Sequence, residues 1–306
     1  MMCSMNYIVS GATGCIGYSL VKKLIDHGSS ITVILNPNSD RNIIFEKFKN
    51  IRRIYASLAD YGEVNLNGSF DAFVHMAWSG GSRREDTTEN QFSSFQSLKA
   101  MELAVKNSCK KFISVGSQAE YGSTNEILNE NLICSPTNEF GISKLNTYFR
   151  LKSLAGRLPI EFTWLRVLSA YGPYDRSSSM LMQTIHKLLR HEEVKLSDCM
   201  HYWDFLHADD IADAIIGLST TKENSDLYVI GSDEKKILKD YIKCLTSMLG
   251  ADAEGIIGKL QTIDNPIVNL RCDSKFLREH ISWRPTIDFE TGIRQIIEAE
   301  KIRLDL

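Results

Sequence analysis

The stretch "NYIVSGATGCIGYSLVKKLIDHG", residues 6–28, most limits what this chain can become. An apolar run ends at Ser10, glycines follow at 11, 14 and 17, and an amphipathic helical pattern begins at once. Glycines there permit a tight turn and let a pyrophosphate approach backbone N–H groups, while the helix N-terminus adds partial positive charge. A glycine triplet alone is a weak signal. Placed between strand and helix at the head of an alternating chain, it predicts dinucleotide binding by Gly11, Thr13, Gly14, Cys15, Ile16 and Gly17.

The alternation continues to about residue 170. Strands are expected at Asn6–Ser10, Ile31–Leu35, Arg53–Ala56, Ala72–Ala77, Lys111–Gly116 and Glu161–Val167. Helices are expected at Ile16–His27, Asn90–Ser108 and Asn138–Gly156, so the fold class is α/β, a Rossmann-type doubly wound parallel sheet. After "YGPYDR" (171–176) the rhythm changes to a helix from Met180 to His191, a segment ending in "HYWDFLHADD", another helix and the strand "DLYVIG". The expected division is a dinucleotide-binding part, 1–172 with 203–232 returning to it, and a smaller lobe made of 173–202 and 233–306.

A formal net charge of −3 over 306 residues, with no basic stripe, argues against a nucleic-acid partner. No apolar run approaches the roughly 20 residues that cross a bilayer. The N-terminus has no basic segment followed by an apolar core, so the chain reads as cytoplasmic. Its seven cysteines and seven histidines form no C-x-x-C or H-x-x-x-H pair, and no metal is expected.

The second strand ends at "LNPNSDR", with Asn36 where a carboxylate would hold the 2′-hydroxyl of NAD. Nothing at Asn36 repels a 2′-phosphate; Asn38, Ser39 and Arg41 follow closely. Arg41 can pair with such a phosphate, although Asp40 weakens the case and a solvated arginine is the simpler alternative. The reading favours NADP(H), with NAD possible.

The glycine spacing is G-x-x-G-x-x-G. With "HMAW" (75–78), "SVGSQAEYG" (114–122), "FGISK" (140–144), "LRVLSAYGP" (165–173), "WDFLHADDIADA" (203–214) and "WRPTIDFETGI" (283–293), it resembles the extended short-chain dehydrogenase/reductase family across essentially the whole chain. The similarity is to the NAD(P)-dependent epimerase/dehydratase branch acting on nucleotide sugars. That resemblance implies a homodimer paired through Asn90–Ser108 and Asn138–Gly156, and adds Ala77, Lys144 and Leu168 to the cofactor contacts. It also implies a catalytic serine, Ser117, and a tyrosine–lysine pair four residues apart on one helix face.

Lys144 is present, but the tyrosine position holds Phe140. Phenylalanine keeps the ring and has no proton to give, so an acid/base contribution of about 10²- to 10⁴-fold should be lost. Three explanations stand: an enzyme with another acid, for which Tyr121, Tyr171 and Tyr174 are candidates; a pseudoenzyme; or a deliberate replacement of tyrosine. With Ser117, Lys144 and the glycine loop intact, loss of one oxygen fits replacement best.

Family members that dehydrate sugars carry an Asp-Glu pair directly after the serine. Here Gln118 and Ala119 stand there, which argues against elimination. A 4-ketoreductase comes first and a 4-epimerase second. Trp78, Ser79, Arg83 or Arg84, Gln118, Tyr174 and Arg176 are candidates to meet sugar or diphosphate. Tyr202, with His201 and Trp203, is a candidate for the nucleotide side, although Trp203 fits a core role equally well.

Overall fold

The computed structural model describes residues 5–79, 84–222, 224–260 and 269–304. Arg83, a candidate substrate contact, lies outside these residues.

Seven parallel strands form the central sheet: β1 (Asn6–Ser10), β2 (Ser30–Leu35), β3 (Arg52–Tyr55), β4 (Ala72–His75), β5 (Lys111–Ser117), β6 (Glu161–Val167) and β10 (Leu227–Ile230). Their spatial order is β10-β6-β5-β4-β1-β2-β3, so the strand order reverses beside β1, between β4 and β2. Alternate residues face opposite sides: Tyr7 and Val9 enter one apolar cluster and Ile8 the other. On the first face α1 (Cys15–Asp26) packs against α5 (Ala208–Thr220); on the second α2 (Thr87–Lys106) packs against α3 (Glu139–Ala155). Burial of both faces explains why the strands read as continuous apolar runs.

Two features differ from the sequence expectation. β7 (Ser169–Tyr171) pairs in parallel with β9 (Phe205–His207), and β8 (Tyr202–Trp203) pairs antiparallel with β11 (Lys236–Ile237). These strands have two or three residues, too few for a period-2 pattern to show. A third apolar cluster gathers residues of α4 (Met180–Leu189), α6 (Leu238–Met248) and α8 (Phe289–Leu304) around Tyr171 and Phe205. α7 (Lys275–Ile281) covers β10. Among the described residues, no helix is long and apolar enough to cross a membrane.

Candidate active site

In a doubly wound sheet, ligands lie beyond the carboxyl ends of the strands, near the point where strand order reverses. The residues that directly follow β1 to β6 are Gly11, Asn36, Ala56, Met76, Gln118 and Leu168. Every one lines one of two adjoining clefts, of about 600 and 300 Å³. Gly11 and Trp78 border both.

The glycine loop is shaped by close approach. Gly11 has φ +71°, and a Cβ there would lie 2.6 Å from the Ala77 nitrogen. A Cβ on Gly17 would lie 2.7 Å from Ala12 Cα, so α1 rests directly on the loop. Gly14, Cys15, Ile16 and Gly17 face the larger cleft; Thr13, Asn36, Ser39, Ala77 and Ser79 face the smaller one with Ser57, Tyr61 and Phe92. Asn36 Oδ1 accepts from Asn38 N–H at 3.0 Å, which leaves Asn38 exposed outside both clefts. Arg41 lies in the larger cleft, where its guanidinium donates to the Tyr174 carbonyl.

Ser117, Gln118, Phe140 and Lys144 come together in the larger cleft. Asn138 caps α3, accepting from Gly141 N–H at 2.9 Å, and this fixes the first turn that carries Phe140. One turn on, the buried Lys144 donates from Nζ to the Val115 carbonyl at 2.8 Å and lies 3.8 Å from the centre of the Trp78 ring. Burial, opposed by Glu120, lowers the Lys144 pKa to about 7. Trp78 meets Phe140 edge-on at 6.1 Å and is itself held by a 2.8 Å bond from Nε1 to Asn90 Oδ1. The Arg84 guanidinium carbon lies 5.2 Å from the Phe140 centroid, and Phe140 N–H donates to the Arg84 carbonyl at 2.9 Å.

The supporting layer beneath was not anticipated from sequence. Glu120, fully buried, accepts from Ser117 N–H at 2.8 Å, Trp164 Nε1 at 3.0 Å and Arg166 Nε at 2.7 Å. Burial raises the Glu120 pKa against the pull of Arg166. Burial likewise works against the Arg166 charge, but Glu120 and Tyr121 outweigh it and the guanidinium stays protonated. The signal was present, since Ser117-x-x-Glu120 is a capping-box spacing and both its bonds form. Asp175, in the cleft wall beside Arg176, also escaped sequence reasoning; burial raises its pKa.

Of the tyrosines considered as substitute acids, Tyr171 and Tyr174 line the larger cleft and Tyr121 does not, and each has other partners. Tyr121 donates to the Asn129 carbonyl at 2.7 Å and accepts from Arg166 Nη1 at 3.1 Å, away from the cleft lining. Tyr171 points its hydroxyl at the Asp288 carbonyl, 3.3 Å away. Tyr174 packs on Tyr18 at 4.3 Å, with Lys47 beside them. Arg84, Tyr174, Arg176 and Trp203 line the larger cleft; Tyr202 is exposed outside both clefts, with Arg271 stacked 4.9 Å above its ring. Asp204, Asp233 and Cys272 approach one another closely enough to suggest a metal grouping. Asp204 instead accepts from the Ser232 and Asp233 N–H groups, and Asp233 from Ser274, so they serve the backbone of the 231–233 turn.

With this geometry in view, residues 7–231 match the family described as "NAD dependent epimerase/dehydratase family". The chain belongs to that family. It is 22% identical over 304 residues to CDP-abequose synthase of Salmonella typhimurium, covering 95% of this chain and 97% of that protein. It is 21% identical over 311 residues to dTDP-4-dehydro-6-deoxyglucose reductase of Escherichia coli, covering 95% and 96%. The crystal structure of UDP-glucose 4-epimerase with UDP-glucose from Thermotoga maritima superposes with a TM-score of 0.88 at 23% identity, covering 98% of this chain and 100% of that one. The family is one of NAD-dependent epimerases and dehydratases, and these three similar proteins carry nucleotide sugars in their names.

Proposed function

We propose that this protein reduces the C4 carbonyl of a nucleotide-linked 4-keto-6-deoxy sugar with NADPH, and that Phe140 in place of the family's tyrosine leaves it impaired. The carrying observation is that the two positions after Ser117 hold Gln118 and Ala119, with Gln118 in the cleft, while Glu120 turns away to Arg166. Elimination needs an acid and a base at that position; reduction does not. Similarity to a protein named as a 4-dehydro-6-deoxyglucose reductase supports the same reading.

Bound NADPH supplies the hydride. The Ser117 hydroxyl polarises the carbonyl oxygen, and Lys144 holds the cofactor ribose. With a phenol at position 140, that group protonates the new alkoxide; phenylalanine cannot. Preference for NADPH rests on Asn36, which puts no carboxylate at the end of β2; Arg41 lies in the adjoining cleft, where it donates to the Tyr174 carbonyl. Residues 1–172 with 203–232 form the cofactor part in this reading, and 173–202 with 233–306 the sugar lobe.

The protein acts as a homodimer. Phe92 and Phe95 on α2, with Ile142 and Phe149 on α3, leave apolar surface exposed on the paired helices that the family resemblance assigns to the interface. Sedimentation showing a monomer at micromolar concentration would remove this element.

Phe140→Tyr should raise turnover at least about 10²-fold, read as NADPH loss together with a new C4 alcohol by NMR. Inversion at C4 without net cofactor use would replace this reading with a 4-epimerase, which the superposition on UDP-glucose 4-epimerase keeps as the second candidate. Cofactor binding without any gain would favour a non-catalytic nucleotide-sugar-binding protein.

A further inference from the structure

Arg84 has no role in the chemistry above, yet it reaches the reaction centre. It lines the larger cleft with Ser117 and Lys144, and its guanidinium is stacked on the Phe140 ring. Among the described residues it forms no ion pair with a carboxylate, although burial and the neighbouring Arg176 charge both lower its pKa, against a weaker pull from Glu85. A partly buried cation without a counter-charge is costly. An arginine held in that condition is suited to an anion that arrives with the substrate or forms during the reaction.

The position of Arg84 is fixed rather than incidental. Its carbonyl accepts from Phe140 N–H at 2.9 Å, a donor in the first turn of α3 that has no partner inside the helix. The Asn90 side chain secures the same segment by donating to the Asp86 carbonyl at 2.8 Å. Arg84 is thereby tied to the backbone of the very residue that stands at the acid position.

We infer that Arg84 is a catalytic residue, whose guanidinium donates hydrogen bonds to the C4 oxygen as hydride arrives and stabilises the alkoxide. The inference rests on the reductase reading. In the step, a C–H bond forms from the hydride of NADPH, which becomes NADP⁺. The carbonyl π pair moves to oxygen as negative charge facing Arg84. The proton then comes from the phenol when tyrosine is present, and from water when Phe140 is present. A preorganised donor at a developing oxyanion typically contributes about 10²- to 10³-fold in kcat. The competing assignment, a ligand to the substrate diphosphate, predicts uniform binding instead and so a change in KM.

The test uses full-length Phe140→Tyr protein with UDP-, dTDP- and CDP-linked 4-keto-6-deoxyglucose and NADPH, comparing Arg84 with Arg84→Ala and Arg84→Lys. The expected result is a fall in kcat of about 10²-fold for Arg84→Ala with KM changed less than threefold. Added guanidinium should recover at least about tenfold, and lysine, a point charge without the planar fork, should restore only part. An unchanged kcat overturns the inference, as does a KM raised tenfold with kcat kept, which assigns Arg84 to the diphosphate. Loss without guanidinium rescue and with a lowered melting temperature makes Arg84 structural and also overturns it. If Phe140→Tyr with Arg84 intact reduces none of the sugars, the reductase reading itself fails and takes this inference with it.

Discussion

The two walls of the larger cleft are built in opposite ways. The wall formed by β1 and α1 is nearly all backbone: glycines at 11, 14 and 17 bring main chain against main chain, and the helix start faces the cavity. The wall formed by β5 and α3 is made of side chains whose charges are out of water. Buried Lys144 lies against the Trp78 ring and 5.7 Å from the Trp164 ring, and Trp164 donates to Glu120, which pairs with buried Arg166. A backbone wall depends on what is missing from its residues, whereas a side-chain wall depends on partners that must all be present.

Breaking the second wall should therefore cost more than breaking the first. Glu120→Gln leaves Arg166 buried without its counter-charge, and removing one partner of such a pair destabilises by about 3–5 kcal/mol. Urea unfolding that shifts by less than about 1 kcal/mol would show the Glu120 layer to be dispensable. In the first wall, Gly17→Ala sets a methyl group against Ala12 and should cost about 1–3 kcal/mol, with loss of cofactor binding by fluorescence titration.

A pH experiment sharpens the contrast, because Lys144 titrates near 7 in the folded protein and at its ordinary value when unfolded. Between about pH 7 and 10 the unfolded chain holds a proton that the folded one has released. Stability contributed by this group therefore rises with pH through that window, by up to about 1.4 kcal/mol per unit. Lys144→Met should flatten that rise, and an unaltered profile of urea midpoint against pH would place the charge elsewhere. The smallest change is expected at the rim of the backbone wall. Asn36→Asp should weaken NADPH about tenfold, near 1.4 kcal/mol, and leave the melting temperature unmoved.

The same difference governs what could be read from the sequence. β1 and β6 begin and end where their apolar runs do, and α3 begins one residue inside the expected Asn138. The glycine loop was legible because its requirement, close approach of main chain, is written in residue type. Glu120 and Arg166 were not, since nothing in two ordinary charged residues 46 positions apart announces that they meet in a dry interior. Arg84 was a candidate among surface-like arginines, and its contact with Phe140 arises only when its own backbone meets the first turn of α3. β7, β8, β9 and β11 were missed because their pairing depends on long-range register rather than on local pattern.

The union of α1 with α5 sets a timetable for synthesis. Tyr7 bonds to Ser219 at 2.6 Å, and Lys23 pairs with Asp213 at 2.8 Å, so the earliest strand and helix are sealed by a helix made far later. At a ribosomal rate of about 5–20 residues per second, roughly 10–40 s separate the two. Throughout that interval β1, β2 and Phe45 pack against α1, but the part of its apolar face that meets α5 lacks that cover. The nascent protein thus presents a greasy surface to the cell, and chaperones that clasp such surfaces have their longest opportunity before residue 220 emerges.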